Sequence, residues 1–250
     1  MARKRGSGRR HRRNRFGFLY KLLTALVICA VVVVALTMFF RVGTIQVEGN
    51  SRYTDGEVIA ASGVAAGDNL ILLNKHALAL RLTEELPYIE AVYPHRRLPD
   101  TLVIDVTECG VTFALQGEGT YWLMSDTGKI VDTAAEPGDR PVIDGCTVLA
   151  PSVGTALALP VEQQIQGESL LALLKALRTA EAMEQVDAIH LDSASELVMD
   201  YAGRFAVKMP YSADYDKMLS FLSIVMDTLE TNETGVIDLT TEGKASVLKQ

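Results

Sequence analysis

The chain has 250 residues, 48% of them hydrophobic, a formal net charge of −7 and three cysteines. That charge conceals a division: residues 1–41 carry ten Lys and Arg and no acid, so the other 14 of the 24 bases face all 31 Asp and Glu, a net of −17. Such a split implies two compartments, and so sparse a cysteine count excludes a disulfide-built framework.

Residues 1–20 form a basic tail, with eight of its bases within residues 1–15. Between Lys21 and Arg41 the stretch LLTALVICAVVVVALTMFF then runs 19 residues without a charge. At about 1.5 Å per residue a helix of that length spans roughly 28 Å, close to the ~30 Å hydrocarbon core of a bilayer. Its valines do not argue against a helix, because in lipid the backbone must satisfy its own hydrogen bonds. A cleaved signal peptide has an apolar region of about 7–15 residues ending in small residues. This run is longer and ends TMFFRVG, and the LVI before Cys29 lacks the small residues of lipoprotein processing. The reading is an uncleaved transmembrane helix over 21–41, with the N-terminus in the cytoplasm and residues 42–250 outside. The tail RKRGSGRRHRRNR has no interleaved aromatics. Topology and attraction to anionic lipid account for it, and no nucleic-acid partner is expected.

The first outer segment begins with VGTIQVEGN, an alternating strand closed by a Gly-Asn turn. TDGE follows as a capping box, Thr54 and Glu57 opening a short helix over Asp55 to Ala61. Asn74 is the N-cap of a second helix whose Leu78, Leu82 and Leu86 form a stripe before Pro87 stops it. Strands over Ile89 to Arg96 and Thr101 to Glu108 complete the order strand, helix, helix, strand, strand. In the last strand Leu102, Ile104 and Val106 face one way and Val103, Asp105 and Thr107 the other. The joining stretch VYPHRRLPDTLVIDV sets His95, Arg96 and Arg97 between two prolines. It reads as a hairpin corner, with Pro94 breaking pairing near a strand end and Pro99-Asp100 supplying the turn.

Further on, TYWLMS and KIVDT form a hairpin around DTG, and PVIDG is a short strand. A helix is expected over Gly167 to Glu184, burying Leu170, Leu173, Leu174 and Leu177. DAIHLD, ELVMDY and RFAVKM read as strands, the last two joined by AGR. A final helix over Ala213 to Glu230 carries Met218, Leu222, Val225, Met226 and Leu229 on one side. The chain then closes with strands GVIDLT and KASVLK. The class is α+β throughout the outer part.

These features in this order resemble the FtsQ/DivIB family of bacterial cell-division proteins. Residues 42–108, from VGTIQVEGN to LVIDVTE, look like a POTRA domain (β-α-α-β-β). Residues 109–250, with YWLMSDTGKIV, RPVIDG, YDKMLSFLSIVMD and GVIDLTTEGKASV, resemble that family's mixed antiparallel β domain with two longer helices. The resemblance implies a non-catalytic divisome scaffold, single-pass in the cytoplasmic membrane at the division septum. Its partners would be FtsL and FtsB/DivIC-type proteins, the partner adding a strand to an exposed edge. The matching positions here are Thr241, Gly243, Ala245, Ser246, Val247 and Leu248. The aromatic anchors that some relatives carry there are lacking. Against this stands the plainer reading of KASVLK as an ordinary closing strand. Arg96 and Arg97 are a secondary docking corner for another division protein, or simply solvated residues near carboxylates.

No enzyme chemistry is expected. HLDSAS brings His190, Asp192, Ser193 and Ser195 together in sequence, but on a strand His190 and Asp192 share a face while Ser193 points away, so no triad forms. No metal-ligand spacing or phosphate-cradling loop occurs, and no cofactor is implied. Cys109 and Cys146 read as free, half-buried thiols in preference to a bridge. An alternative function is a POTRA-type polypeptide-binding accessory in secretion or transport, though the membrane β-barrel that usually follows is missing.

Overall fold

The computed structural model describes residues 14–110, 112–230, 232–241 and 244–249. Helix α1 (Asn14–Phe39) contains the stretch Phe18–Phe39, which is long and apolar enough to cross a bilayer and has no part buried against the rest of the protein. Its bounds differ from the expected 21–41. No proline interrupts the ladder between Asn14 and Lys21, so the helix continues upstream. At the other end Phe40 N–H still bonds the Leu36 carbonyl, but Arg41 leaves to pair with Asn69.

The first unit after α1 contains β1 (Thr44–Glu48), α2 (Asp55–Ser62), α3 (Lys75–Glu85), β2 (Ile89–Arg97) and β3 (Thr101–Glu108). The strands form a sheet ordered β1-β3-β2, with β1 parallel and β2 antiparallel to the central β3. Local chemistry sets the helix ends. The Thr54 hydroxyl accepts Glu57 N–H at 3.3 Å while the Glu57 carboxylate accepts Thr54 N–H at 2.8 Å, closing both halves of the capping box. Gly63, at φ 66, ends α2 in the left-handed conformation that glycine adopts without penalty. The Asn74 side chain accepts from His76 and Ala77 N–H at 3.1 Å each.

Val58 and Ala61 of α2 and Leu78 and Leu82 of α3 pack onto Ile89, Val92, Leu102, Ile104 and Val106. Val103 points to the other face yet is also fully buried, because the middle strand is flanked in register by Gln46 and His95. Pro94 does not end β2: it sits within the strand opposite Ile104. An edge strand tolerates the missing donor.

The second unit contains β4 (Thr112–Gln116), β5 (Tyr121–Ser125), β6 (Ile130–Ala134), β7 (Val142–Asp144), α4 (Gln164–Thr179), β8 (Val186–His190), β9 (Glu196–Tyr201), β10 (Phe205–Pro210), α5 (Tyr215–Thr228), β11 (Gly235–Asp238) and β12 (Ser246–Lys249). Among the described residues these strands make one nine-stranded sheet, ordered β12-β11-β10-β9-β8-β7-β4-β5-β6. It is mixed: β4–β7, β7–β8 and β10–β11 are parallel and the other pairs antiparallel. Strand β4 has no counterpart in the expected elements, although Phe113 and Leu115 alternate there with Ala114.

Helices α4 and α5 contribute Leu170, Leu173, Leu174, Leu177, Tyr215, Leu219 and Leu222 to one core with Phe113, Met124, Ile143, Ile189, Met199, Val207 and Ile237. α4 stops at Thr179, short of the expected Glu184, because Glu181 turns left-handed at φ 54 and Ala182 N–H folds back to the Leu177 carbonyl at 2.9 Å. In α5 the buried side is rotated from the expected stripe: Tyr215, Leu219 and Leu222 lie deepest, while Met218, Val225 and Met226 are only half-covered.

The two units meet at a polar joint. Half-buried Lys129, in the β5–β6 turn, donates from Nζ to the carbonyls of Thr83 at 2.8 Å and Ile89 at 3.0 Å. Tyr88 donates its hydroxyl to Asp132 at 3.1 Å and carries the Arg52 guanidinium 3.7 Å above its ring centre. Arg178 at the end of α4 reaches Glu90 at 3.4 Å and Asp126 at 3.3 Å.

Candidate partner-binding edge

β12 is one of the two outermost strands of the large sheet, paired on one side only through Ile237↔Val247, Val236↔Leu248 and Asp238↔Ser246. An outer strand leaves a row of backbone N–H and C=O groups unpaired by its own sheet. Gly235 allows the close approach of β12: a Cβ there would lie 2.1 Å from the Leu248 carbonyl oxygen. At the far end Lys249 is ion-paired with the Glu233 carboxylate, whose pKa that contact lowers.

The expected site residues divide by face. Val247 and Ala245 pack against the large core, whereas Leu248 is 63% exposed and Ser246 faces solvent. Thr241 is exposed and lines a cleft of about 520 Å³ with Met218, Phe221, Leu239, Thr240 and Lys244. Gly243 lies outside the described residues.

Cross-strand register extends this edge into two rows. Ala206, Val236 and Leu248 stand side by side as an apolar row. Beside it run Lys208, Asp238 and Ser246. Lys208 bonds Glu196 at 3.2 Å, and Asp238 accepts the Thr240 N–H at 2.9 Å and its hydroxyl at 2.7 Å, which holds the Asp238 pKa below the ordinary value. The geometry leaves a backbone edge on β12 to which a further strand can pair.

Arg96 does not project from its corner as a free cation. Its Nη2 donates to the carbonyls of Ile71 at 3.0 Å and Leu73 at 2.8 Å, so it braces the loop before α3. Arg97 donates to the Gln46 side-chain oxygen at 2.8 Å and lies 3.8 Å from Glu48, with its side chain 58% exposed.

His190 ends β8, so the face it was expected to share with Asp192 does not exist. Its Nδ1 instead meets Asp144 at 2.8 Å on β7 and its Nε2 meets Asp200 at 3.3 Å on β9. Burial alone lowers its pKa; the hydrogen bonds and charges of the two carboxylates outweigh that and raise it. Ser193 contacts Ser195 rather than the imidazole. Cys109 and Cys146 are unbridged, and burial with the Asp144 charge pushes the Cys146 thiol up to about 11, away from reactive thiolate character. Among the described residues no group of three or more His, Cys, Asp or Glu is placed to hold a metal.

Two residues that reading the sequence passed over matter for how the parts connect: Lys129 at the joint and Asn69, discussed below. Both bond backbone groups tens of residues away, and only the Gly-Asp-Asn and Asp-Thr-Gly-Lys turn signals hinted that these positions were special.

One membrane-spanning helix, a small β-α-α-β-β unit and a mixed sheet ending in an open strand edge together define a single-pass membrane protein. Residues 40–108 match the POTRA domain of FtsQ type. The cell division protein FtsQ of Syntrophotalea carbinolica is 31% identical over 206 residues, covering 80% of this chain and 70% of that protein. FtsQ of Anaeromyxobacter sp. (strain K) is 35% identical, with 48% of this chain and 44% of the relative covered. DivIB of Staphylococcus aureus (strain NCTC 8325 / PS 47) is 26% identical, with 42% and 24% covered, so the matched stretch spans under half of these last two. The chain belongs to the FtsQ/DivIB family of cell division proteins.

Proposed function

We propose that the protein is a non-catalytic scaffold of the divisome. Its basic N-terminus lies in the cytoplasm, α1 anchors it at the division septum, and residues 42–108 and 109–250 act outside as two domains. β12, with Thr241, Gly243, Ala245, Ser246, Val247 and Leu248, receives FtsL and FtsB/DivIC-type partners by strand addition. The observation that carries this reading is the position of β12 at the open edge with Leu248 63% exposed. The unpaired backbone groups of β12 can take an added strand, and the row Ala206, Val236 and Leu248 beside them gives its side chains an apolar surface to pack on. Arg97, exposed at the β2–β3 corner, is the part of the secondary docking corner that remains open to a partner.

The test is capture of purified FtsL and FtsB/DivIC-type outer segments by the membrane-reconstituted chain. Leu248→Glu places a charge at the centre of the added-strand contact and is expected to weaken capture by about tenfold or more, as loss of an interface hot spot does. Stability should change by no more than about 0.5 kcal/mol, because the side chain is exposed. Unchanged capture by the folded variant removes β12 from the interface.

A further inference from the structure

We propose that the loop Asn69–Leu73 is a second membrane contact, seated in the interfacial layer of the outer leaflet beside the end of α1. This rests on the reading of α1 as the membrane anchor. Its sequence, Asn-Leu-Ile-Leu-Leu, places Ile71 at 44% and Leu72 at 73% exposure in the small unit, while neighbouring Leu70 is fully buried and Leu73 packs on the core. Ile71 and Leu72 together make a small exposed apolar patch, and the loop's attachment to the end of α1 identifies what covers it.

The loop is bonded to the last turn of the anchor. Asn69 Nδ2 donates to the Thr37 carbonyl at 3.0 Å and Leu70 N–H to the Phe40 carbonyl at 3.0 Å. Val42 N–H bonds Asp68 O and Gly67 N–H bonds Val42 O, both at 2.8 Å. Thr37 is among the last four residues of α1, whose carbonyls have no partner within the helix, and at membrane depth such a carbonyl needs one. Asn69 supplies it. The same Asn69 accepts Ile71 and Leu72 N–H on its side-chain oxygen at 2.9 and 3.0 Å, so one residue caps the anchor and shapes the loop.

From the opposite side Arg96 holds the Ile71 and Leu73 carbonyls, leaving the Ile71 and Leu72 side chains directed outward. Met38 and Phe39 of the anchor are exposed at 63% and 68%, at the level to which the loop is tied. The apolar surface of α1 therefore continues onto Ile71 and Leu72, and the lipid that covers one covers the other. The function would be orientation: the hydrogen bonds to Thr37, Phe40 and Val42 hold the small unit against the end of α1, and lipid contact at Ile71 and Leu72 adds a second point of support that fixes its tilt.

The test uses the full chain in phosphatidylcholine vesicles, with Cys29, Cys109 and Cys146 replaced by alanine and an environment-sensitive fluorophore at Leu72→Cys. Val33→Cys in the middle of α1 reports insertion of the anchor, and Leu248→Cys, similarly exposed at 63%, reports a water-facing site. The expected result is blue-shifted emission at positions 33 and 72, with position 72 quenched by phosphatidylcholine bearing a nitroxide near its headgroup and position 248 unaffected. Adding Asn69→Ala should reduce quenching at 72 and leave 33 unchanged. A probe at 72 that behaves like 248 while 33 is inserted overturns the proposal, as does a blue shift at 72 without lipid quenching, which would mean that protein covers the loop. A water-like signal at 33 would instead refute the anchor itself.

Discussion

The two units that follow α1 solve the same problem with different means. The large sheet has an extended apolar core, from Phe113 and Met124 under α4 to Ile237 under α5. The small unit buries far fewer large side chains and adds polar staples: the Glu108 carboxylate, for example, accepts the Ser51 hydroxyl at 2.6 Å and the N–H groups of Arg52 and Tyr53 at 2.9 and 3.2 Å. Fewer than about 70 residues bury a smaller fraction of their surface, so hydrogen bonds that fix loops carry more of the small unit's order. Both sheets end in edge strands, but the small unit is also tied to the end of α1 on one side and to the joint on the other.

This contrast is most sensitive to cavities. Leu82→Ala and Leu173→Ala both delete a fully buried side chain, and each should cost about 2–5 kcal/mol. The loss is a larger share of the small unit's stability. In Leu82→Ala, amides in residues 44–108 should exchange fast at temperatures where β8 to β10 remain protected, whereas Leu173→Ala should spare the small unit. Hydrogen exchange resolved by segment distinguishes the two, and simultaneous loss of protection in Leu82→Ala would mean that the units melt as one.

The joint sets whether they do. Lys129 is half-buried, and desolvation lowers its pKa, partly countered by Cys109 and Glu90. The ammonium donates hydrogen bonds to the Thr83 and Ile89 carbonyls, which offset part of the cost of burying it. Lys129→Met keeps the aliphatic stem and strands both carbonyls, at a cost of about 1–3 kcal/mol. Spin labels at Leu80 and Leu149 should then show a broader distance distribution, with each unit's own protection kept. An unchanged distribution would assign the joint to Tyr88–Asp132 and the Arg178 contacts alone.

What could be read without coordinates was local. The Thr54–Glu57 box, the Asn74 cap, the Leu78–Leu82 stripe and the Asp126–Gly128 turn are each decided within a few residues by the backbone groups a side chain can reach. The long contacts could not be read this way: Glu108 to Ser51, Lys129 to Thr83, and His190 to Asp144 join chain segments that only the sheet order brings together. β4 escaped because its few residues follow β3 so closely, and the end of α4 escaped because Glu181 adopts a conformation that its residue type does not announce. For the candidate edge, periodicity located the closing strand, but which of Val247 and Leu248 faces solvent follows from the pairing with β11.

The smallest expected effect is a difference of sign between two staples, Glu108 in the small unit and His190 in the large sheet. Burial alone raises the Glu108 pKa, but the hydrogen bonds from Ser51, Arg52 and Tyr53 bring it below the ordinary 4.5. A group with a depressed folded pKa stabilises above its unfolded value and loses that contribution as pH falls through the folded one, so this staple weakens in acid. His190 is the reverse: its pKa lies above the ordinary 6.5, so the stability it supplies is complete below 6.5 and is lost as pH rises through the raised value. Glu108→Gln should flatten the acid limb of segment-resolved stability in residues 44–108 and leave β7 to β9 unchanged. His190→Gln should flatten the limb just above pH 6.5 in β7 to β9 and leave the small unit unchanged. If either substitution alters both limbs, the two units share one titrating network across the joint and their staples are not independent.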